Sequence, residues 1–305
     1  MAIPSARRPP YTIRPMGRTR EIKKRMSAVA NIQRITKTMQ MIATAKFTAA
    51  VQRTTAARPF ANKIRQLVGE VAMAAGDVEH PLLGRPADTA RTDLMLVISS
   101  DRGLCGAYNG NVLRAAVKKI RSIQESGRQV ILETCGKKAV GFFKFQKLPI
   151  TQRHFLGDKP DYDEVARIAD RYIDEYVQGR FDSVSVASMR YVSNARQVPE
   201  ILTLIPLEPP DAGDEVRRGG ATYEFSPSSA ELLGALLPLA VRTVLFQAFN
   251  DAAVSEQIMR MVAMKAATEN AKDLGRLLKR QFNRARQSQI TTELMEVIAG
   301  SSALE

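Results

Sequence analysis

Two long helix-forming stretches, one at each end of the chain, constrain the fold of this 305-residue sequence more than any other feature. From Arg18 to about Met73, apolar residues recur at three- and four-residue steps, and the only proline is Pro59. From about Ser228 to Ala299 helix formers dominate, and after Pro238 the only breaker is Gly275. This spacing predicts helices of about sixty residues, or about 90 Å. Helices of that length are typical of a coiled coil or a projecting arm.

The N-terminal stretch also contains the seven-residue spacing of a coiled-coil seam. Ile32 and Met39 form one such pair, and Ile35 and Ile42 form another. We therefore expect these residues to lie between two paired helices. Because the two stretches lie at opposite ends of the chain, an antiparallel pair is the economical arrangement. Pro59 is expected to mark a bend.

Between the two stretches, short apolar runs alternate with helical ones. The run Leu94–Ser100 is typical of a parallel strand that is covered on both faces. The predicted strands are 94–100, 129–134, 150–155, 183–192 and 201–207, and the predicted helices are 111–124, 137–145 and 163–177. This order indicates an open, mostly parallel sheet. The predicted fold class is α/β: a long antiparallel two-helix coiled coil formed by the N- and C-terminal helices, with an inserted Rossmann-like open α/β/α domain.

Four segments follow from this architecture. They are a flexible N-terminal extension (1–17), an N-terminal coiled-coil helix (18–75), an α/β foot domain (76–227) and a C-terminal coiled-coil helix (228–305). The extension is basic and proline-rich and lacks the apolar core of a secretion signal. No charge-free apolar run approaches the roughly 18 residues that a membrane span needs.

Composition limits the classes of function that are possible but does not select one of them. The net charge of +14 suits a nucleic acid, an anionic membrane face or an acidic protein as partner. His80 and His154 are far apart and lack cysteine neighbours at ligand spacing, which disfavours a zinc or haem site. Cys105 and Cys135 are too few for a disulfide framework and are expected to be reduced thiols.

The segment Ser99–Gly106 follows the first predicted strand, where a dinucleotide site would lie. Its glycines do not fit the GxGxxG pattern, and the chain contains no GxxxxGK[ST] phosphate loop. Cys105 has no nearby histidine to activate it as a nucleophile. We expect a tight strand-to-helix turn, no catalytic residue, no metal and no cofactor. A dinucleotide-dependent enzyme is the weaker alternative.

Four motifs carry a resemblance to a known family. They are SDRGLCGAYN (100–109), NIQRITKTMQMIATAKF (31–47), SEQIMRMVAMKAATENAKDL (255–274) and RARQSQITTELMEVIAGSSALE (284–305). Together they resemble the γ subunit family of F-type ATP synthases over residues 18–305, with Ser301 where alanine is usual. The first motif, residues 100–109, is the hallmark turn of the family. Its residues that match the family are Asp101, Arg102, Gly103, Cys105 and Gly106.

The resemblance implies a non-catalytic central rotor. The paired helices would turn inside a hexamer of α and β subunits, with ATP made on the β subunits. The foot would stand on the membrane ring of c subunits beside the ε subunit, and δ would be an indirect partner. Membrane contact would occur only through the c ring. The expected location is the cytoplasmic face of a bacterial inner membrane, with the mitochondrial matrix face as the alternative.

The resemblance also implies contact residues. Those expected to touch β subunits are Lys37, Met39, Lys46, Arg260, Lys265, Gln287, Thr291 and Glu293. Tyr223 and Phe225 are expected to touch the c ring or ε. The alternatives are roles that need no partner subunit: a solvated helix face for the cations, seam packing for Met39, and capping for the polar residues. A basic nucleic-acid-binding coiled coil is the alternative function, although base-stacking aromatics are missing from the basic stretches.

Overall fold

The computed structural model of the chain describes residues 15–75, 80–83, 91–207 and 229–302. These residues form five helices and five strands. In chain order they are α1 (Pro15–Ala75), β1 (Thr92–Ile98), α2 (Tyr108–Glu125), β2 (Gln129–Cys135), α3 (Lys137–Phe145), β3 (Gln152–His154), α4 (Tyr162–Val177), β4 (Ser183–Ser193), β5 (Arg196–Ile205) and α5 (Ser229–Ser302). The described residues divide into two compact units. One, the paired-helix unit, comprises the residues up to Gln40 and from Met264 onward; the other, the sheet unit, is Met41–Ala263.

The sheet unit contains one five-stranded sheet in the order β3-β2-β1-β4-β5. Strand β1 is parallel to both β2 and β4, and Leu94 lies between Ile131 and Val184. Strand β3 continues the parallel pairing at one edge, and β5 is antiparallel to β4 at the other. The chain therefore leaves β1 towards one edge and returns at β4 on its other side, as in a Rossmann-like sheet.

Successive side chains of β1 point to opposite faces of the sheet and contribute to two hydrophobic clusters, one on each face. Leu94, Leu96 and Ile98 pack in a cluster with α4 and the sheet-unit parts of α1 and α5. Met95 and Val97 point to the opposite face, where the cluster is built from α2 and α3. Because successive strand side chains face opposite sides, a strand that is covered on both faces must be apolar throughout. The predicted three-layer α/β/α arrangement is confirmed.

Some predicted boundaries were wrong. Strand β5 begins at Arg196, five residues before the predicted Ile201, because its polar first half pairs with the end of β4 across a short turn. An edge strand tolerates polar side chains and even Pro199, since within the described sheet one side of its backbone has no strand to pair with. Helix α1 continues through Pro59 to Ala75, and α5 continues through Pro238.

The paired-helix unit is antiparallel, as expected. Thr268 Oγ1 donates a hydrogen bond to Thr36 Oγ1 at 2.8 Å. Farther towards the N-terminus of α1, a side chain placed on Gly275 would contact Val29 at 3.9 Å. Val29 packs with Ala271 and Leu278, which are seven residues apart, as in a coiled-coil seam.

Three of the four predicted seam residues do not lie in this seam. Ile32, Ile35 and Ile42 are 52–57% exposed, whereas Val29 and Thr36 are buried. Because each residue turns a helix by about 100°, Ile35 lies about 120° around the helix from Val29. The sequence contained two apolar stripes, and the partner helix covers the one beginning at Ile22. The other stripe is left exposed within this chain.

Helix α5 contains a segment that is long and apolar enough to cross a membrane by length and composition alone. Of that segment, 44% is buried inside the protein. Leu233, Leu237, Val241 and Leu245 all belong to the sheet-unit core. Core packing therefore accounts for its apolar character.

Candidate partner-contact surfaces

The hallmark turn after β1 is stabilised by its own side chains. Asn109 Oδ1 accepts a hydrogen bond from the Ser100 amide at 3.0 Å, and Asn109 Nδ2 donates to Cys105 Sγ at 3.1 Å. Leu104 and Gly106 have positive φ angles of 63° and 58°. A leucine in this region is uncommon, because its Cβ crowds the backbone. Leu104 is also 62% exposed.

The same turn caps helix α3. The amides of Lys137 and Ala139 donate to Asp101 Oδ1 at 3.0 Å and to Ser99 Oγ at 2.8 Å. The amide of Lys138 donates to the Ser100 carbonyl at 3.1 Å. The first amides of a helix have no acceptor within the helix, and at other helix N-termini they can bind an anion. In α3 they are occupied by oxygens of the chain itself.

Helix α5 covers the carboxyl ends of β1 and β4. The Arg260 guanidinium is buried, donates to the Arg102 carbonyl at 3.3 Å and pairs with Glu256 at 2.6 Å. Ser255 Oγ donates to the Met189 carbonyl at 3.4 Å. This edge of the sheet, where strand order reverses, is where open α/β sheets bind ligands. Here a helix of the same chain packs on it, which argues against a dinucleotide site.

Lys46 also has a partner within the chain. It forms an ion pair with Asp158, and both side chains are partly exposed. Burial alone would raise the pKa of Asp158, but the hydrogen bond and charge of Lys46, aided by Arg102 and Arg260, outweigh it and lower that pKa. Lys46 and Arg260 are therefore brought together near the hallmark turn, and both already have acidic partners.

The other residues predicted to contact β subunits belong to the paired-helix unit. Lys37 and Lys265 are exposed, and Met39 is half-buried. Lys37 is the neighbour of Thr36, whose bond to Thr268 brings the Lys265 region close. Gln287, Thr291 and Glu293 are exposed farther along α5. Thr291 Oγ1 donates to the Gln287 carbonyl at 3.0 Å, and Glu293 accepts from Gln289 at 2.9 Å. The predicted contacts at Tyr223 and Phe225 lie outside the described residues.

The paired-helix unit exposes unusually many apolar side chains. On α1 these include Ile32 and Ile35. On α5 the exposed set is Leu274, Leu277, Ile290, Leu294, Met295, Val297 and Ile298. Exposed apolar side chains in this number indicate an interaction surface.

One polar cluster was missed by the sequence reasoning. Glu133 is buried in β2, and Arg171 donates to both of its carboxylate oxygens, at 2.9 and 2.7 Å. Tyr172 Oη donates at 2.8 Å, and His154 Nε2 lies 2.9 Å away. Burial acts to raise the pKa of Glu133, but these hydrogen bonds and the charge of Arg171 lower it to about 2. The available signal was an acid within an apolar strand, which requires a partner.

Comparisons with known proteins agree with this architecture. Residues 18–304 match the ATP synthase family. The ATP synthase gamma chain of Rhodopirellula baltica is 42% identical over 296 residues, covering 95% of this chain and all of that protein. That of Leptospira biflexa is 36% identical over 290 residues, with the same coverage.

The fold is also found among solved structures. A chain of the Euglena gracilis mitochondrial ATP synthase (OSCP/F1/c-ring) aligns with a TM-score of 0.65 at 19% identity, covering 94% of this chain and 95% of that one. A rotor chain from the same organism aligns at 0.62 and 18% identity, covering 90% and 99%. The structural likeness shows the fold, and the sequence matches show the family. This chain therefore belongs to the family of ATP synthase gamma chains.

Proposed function

We propose that this chain is the rotating shaft that couples the membrane ring of an F-type ATP synthase to its catalytic subunits. The gamma-chain family serves in the central stalk of that enzyme, so this chain is a subunit of a membrane-associated complex. In the proposal, the paired-helix unit turns inside a hexamer of α and β subunits, and ATP is made on the β subunits. The sheet unit contacts the c ring and ε.

The observation that carries the proposal is the exposed surface of the paired-helix unit. Among the described residues, the hydrophobic cluster of this unit consists of Val29, Ala271 and Leu278 with flanking Ile22 and Met26, whereas Ile32 and Ile35 are exposed. Exposed apolar surface of this kind requires a partner. A sleeve of surrounding subunits would cover it on all sides.

Coupling requires that the shaft present a different face to each surrounding subunit. A ligand or rotor can shift a conformational equilibrium only by its differential interaction with the two states. The paired-helix unit provides such asymmetry, because the stripe at Ile32 and Ile35 lies on α1 and the large exposed side chains near Leu294 lie on α5. Contact of the apolar stripe with one β subunit at a time would favour one conformation in turn.

Electrostatic attraction to the β subunits would make a second, weaker contribution to coupling. Residues 19–40 and 264–302 contain 13 Lys or Arg and 5 Asp or Glu. Lys37 and Lys265 are exposed and suit acidic loops on β subunits. Each exposed ion pair contributes only about 0.2–1 kcal/mol. Steric and apolar contacts must therefore carry most of the torque. Lys46 and Arg260 are weaker candidates, because each has an acidic partner within the chain.

The proposed location is the cytoplasmic face of a bacterial inner membrane, held there through the c ring. Nothing in the comparisons supports the nucleic-acid alternative. Residues 19–40 and 264–302 of the paired-helix unit contain a single aromatic residue, Phe282. These two segments therefore provide no platform on which bases could stack.

Native mass spectrometry of the complex purified from membranes tests the proposal. The expected mass contains one copy of this chain with three α and three β subunits, and nuclease treatment leaves it unchanged. Recovery of the chain without α and β subunits, or its loss from the complex after nuclease treatment, would contradict the proposal.

A further inference from the structure

An open groove lies between the edge strand β3 and helix α4, and the rotor function assigns it no role. Its volume is about 400 Å³, within the range of ligand sites. Its lining includes Arg153, Phe155, Leu156, Arg167 and Ile168. The groove lies wholly within the sheet unit.

Two cations in the groove lack acidic partners among the described residues. Arg153 and Arg167 are exposed. Among the described residues neither forms an ion pair, since the nearby acids Asp158 and Asp170 pair with Lys46 and Arg242. The third arginine, Arg171, is bound to Glu133. Among the described residues, Glu164 is the only acidic one that lines the groove. The unpaired groups therefore leave an excess of positive charge, which suits a ligand with carboxylates.

The wall of the groove is held in place by the buried Glu133 cluster. Glu133 orients the Arg171 guanidinium through two hydrogen bonds and contacts His154 Nε2. The Arg171 guanidinium also lies 4.8 Å from the centre of the Tyr172 ring. A wall fixed in this way needs little ordering when a ligand binds, which favours affinity.

The remaining features indicate an extended peptide rather than a small anion. Strand β3 lies at the edge of the described sheet and pairs there with β2 alone. A free strand edge presents unpaired N–H and C=O groups to another chain. Phe155 is 56% exposed, and Leu156 and Ile168 are half-buried beside it. A backbone edge, an apolar floor and flanking arginines match a segment that alternates apolar and acidic side chains.

We propose that this groove binds an extended, carboxylate-bearing segment of a neighbouring subunit. The identity of that neighbour rests on the proposed function, since it is a subunit of the same complex. The segment aligns along β3, its carboxylates pair with Arg153 and Arg167, and its apolar side chains cover Phe155. Because β3 has only three residues, side-chain contacts contribute more than added strand pairing.

Photocrosslinking in the intact complex tests the proposal. The full chain carries p-benzoylphenylalanine in place of Phe155, and mass spectrometry identifies the crosslinked peptide. The expected product is an acidic segment of another subunit. The matched control is the same probe in place of Phe145, which is 82% exposed at the end of α3. It should not crosslink to that segment.

Charge variants establish the recognition chemistry. Arg153→Glu with Arg167→Glu should lower the crosslink yield by about fivefold or more, since each lost exposed ion pair costs up to about 1 kcal/mol. Glu164→Gln should maintain or raise the yield. All three side chains are exposed, so the variants should assemble normally. A product that lacks carboxylates, a lipid adduct, no intersubunit product in an assembled complex, or a yield unaffected by charge reversal would each overturn the proposal. Absence of the chain from the complex would instead overturn the rotor function, and this inference with it.

Discussion

The paired-helix unit and the sheet unit use the same residue types in opposite ways. In the sheet unit the apolar residues of β1 are covered on both faces, and an acid in the core, Glu133, has three donors. In the paired-helix unit Val29, Ala271 and Leu278 form a thin buried seam. Most of its large apolar side chains are exposed.

The difference indicates where each unit obtains its stability. The sheet unit buries its apolar surface within the chain, which is the main favourable term in folding. The paired-helix unit buries little of its own and leaves surface that other subunits can cover. We infer that changes within the sheet unit alter the free energy of unfolding of the chain, whereas changes on the paired-helix unit alter assembly and coupling.

The largest expected effect is at the core of the sheet unit. Glu133→Ala leaves the Arg171 guanidinium and the Tyr172 hydroxyl without their buried acceptor. Breaking a buried ion pair in this way costs about 3–5 kcal/mol. Urea unfolding of the full chain, followed by tyrosine fluorescence because the chain lacks tryptophan, measures this loss. The control Glu175→Ala removes a more exposed partner of Arg171 and should cost about 1 kcal/mol or less.

Because of Glu133, the free energy of unfolding of the chain should fall at acidic pH. The pKa of Glu133 is lowered to about 2, so its stabilisation is complete above the ordinary pKa of 4.5 and is lost as the pH falls towards 2. Between pH 5 and pH 3 about 2 kcal/mol should be lost. Glu133→Gln should lack this component. Equal acid sensitivity of the variant and the wild type would show that the cluster does not hold a charged Glu133.

A second carboxyl in the sheet unit should have the opposite pH dependence. Burial raises the pKa of Asp251 to about 6, although Arg58 and Gln247 partly offset it. The folded state therefore binds this proton more tightly than the unfolded state, and stability falls as the pH rises from about 4 through 6. Relative to wild type, Asp251→Asn should gain about 2 kcal/mol between pH 4 and pH 8. A constant difference across that range, in urea unfolding at each pH, would contradict the assignment.

On the paired-helix unit the expected effect is on coupling, not on folding. Reversing Lys37 and Lys265 to Glu should weaken contacts with acidic β loops by up to about 1 kcal/mol each. The loss of ATP-driven proton pumping should be greater at low salt, since salt screens exposed charges. Lys118→Glu, an exposed reversal on α2, is the control. A defect independent of salt would indicate packing as its cause.

The smallest expected effect concerns the seam between the two helices. A methyl group on Gly275 would meet Val29 at 3.9 Å, an ordinary contact, so Gly275→Ala fits without movement. Removing a glycine from a helix interior should stabilise the pair by about 0.5–1 kcal/mol. Thermal unfolding of the full chain, monitored by far-UV circular dichroism, detects this gain. A loss of helix stability would mean that the two backbones approach more closely than this seam allows.

The sequence predicted the layers better than the contacts. Periodicity along α1 and α5 and the apolar run at Leu94 were sufficient for the fold class, because burial alone sets those patterns. The choice between two apolar stripes on α1 was missed, because it depends on which one the partner helix covers. Ile32 and Ile35 were placed in the seam, whereas the structure leaves them exposed.

Long-range polar pairs were harder to predict. Arg260 resembles any surface cation in the sequence, and its burial depends on the Arg102 carbonyl, 158 residues away. Lys46 similarly meets Asp158 across 112 residues. The Glu133 cluster was also missed, although a carboxylate in an apolar strand implies a buried donor; its identity as Arg171 required the structure. Contacts with other subunits stay predictions.

The central claim is that the paired helices turn as a shaft within a ring of catalytic subunits. Single-molecule rotation tests it most directly: the α and β subunits are fixed to a surface, and a bead is attached to the sheet unit through Lys118→Cys, which is exposed on α2. The account predicts unidirectional rotation of the bead that depends on ATP and stops when ATP is removed. ATP hydrolysis by the assembled complex with a stationary bead would contradict it.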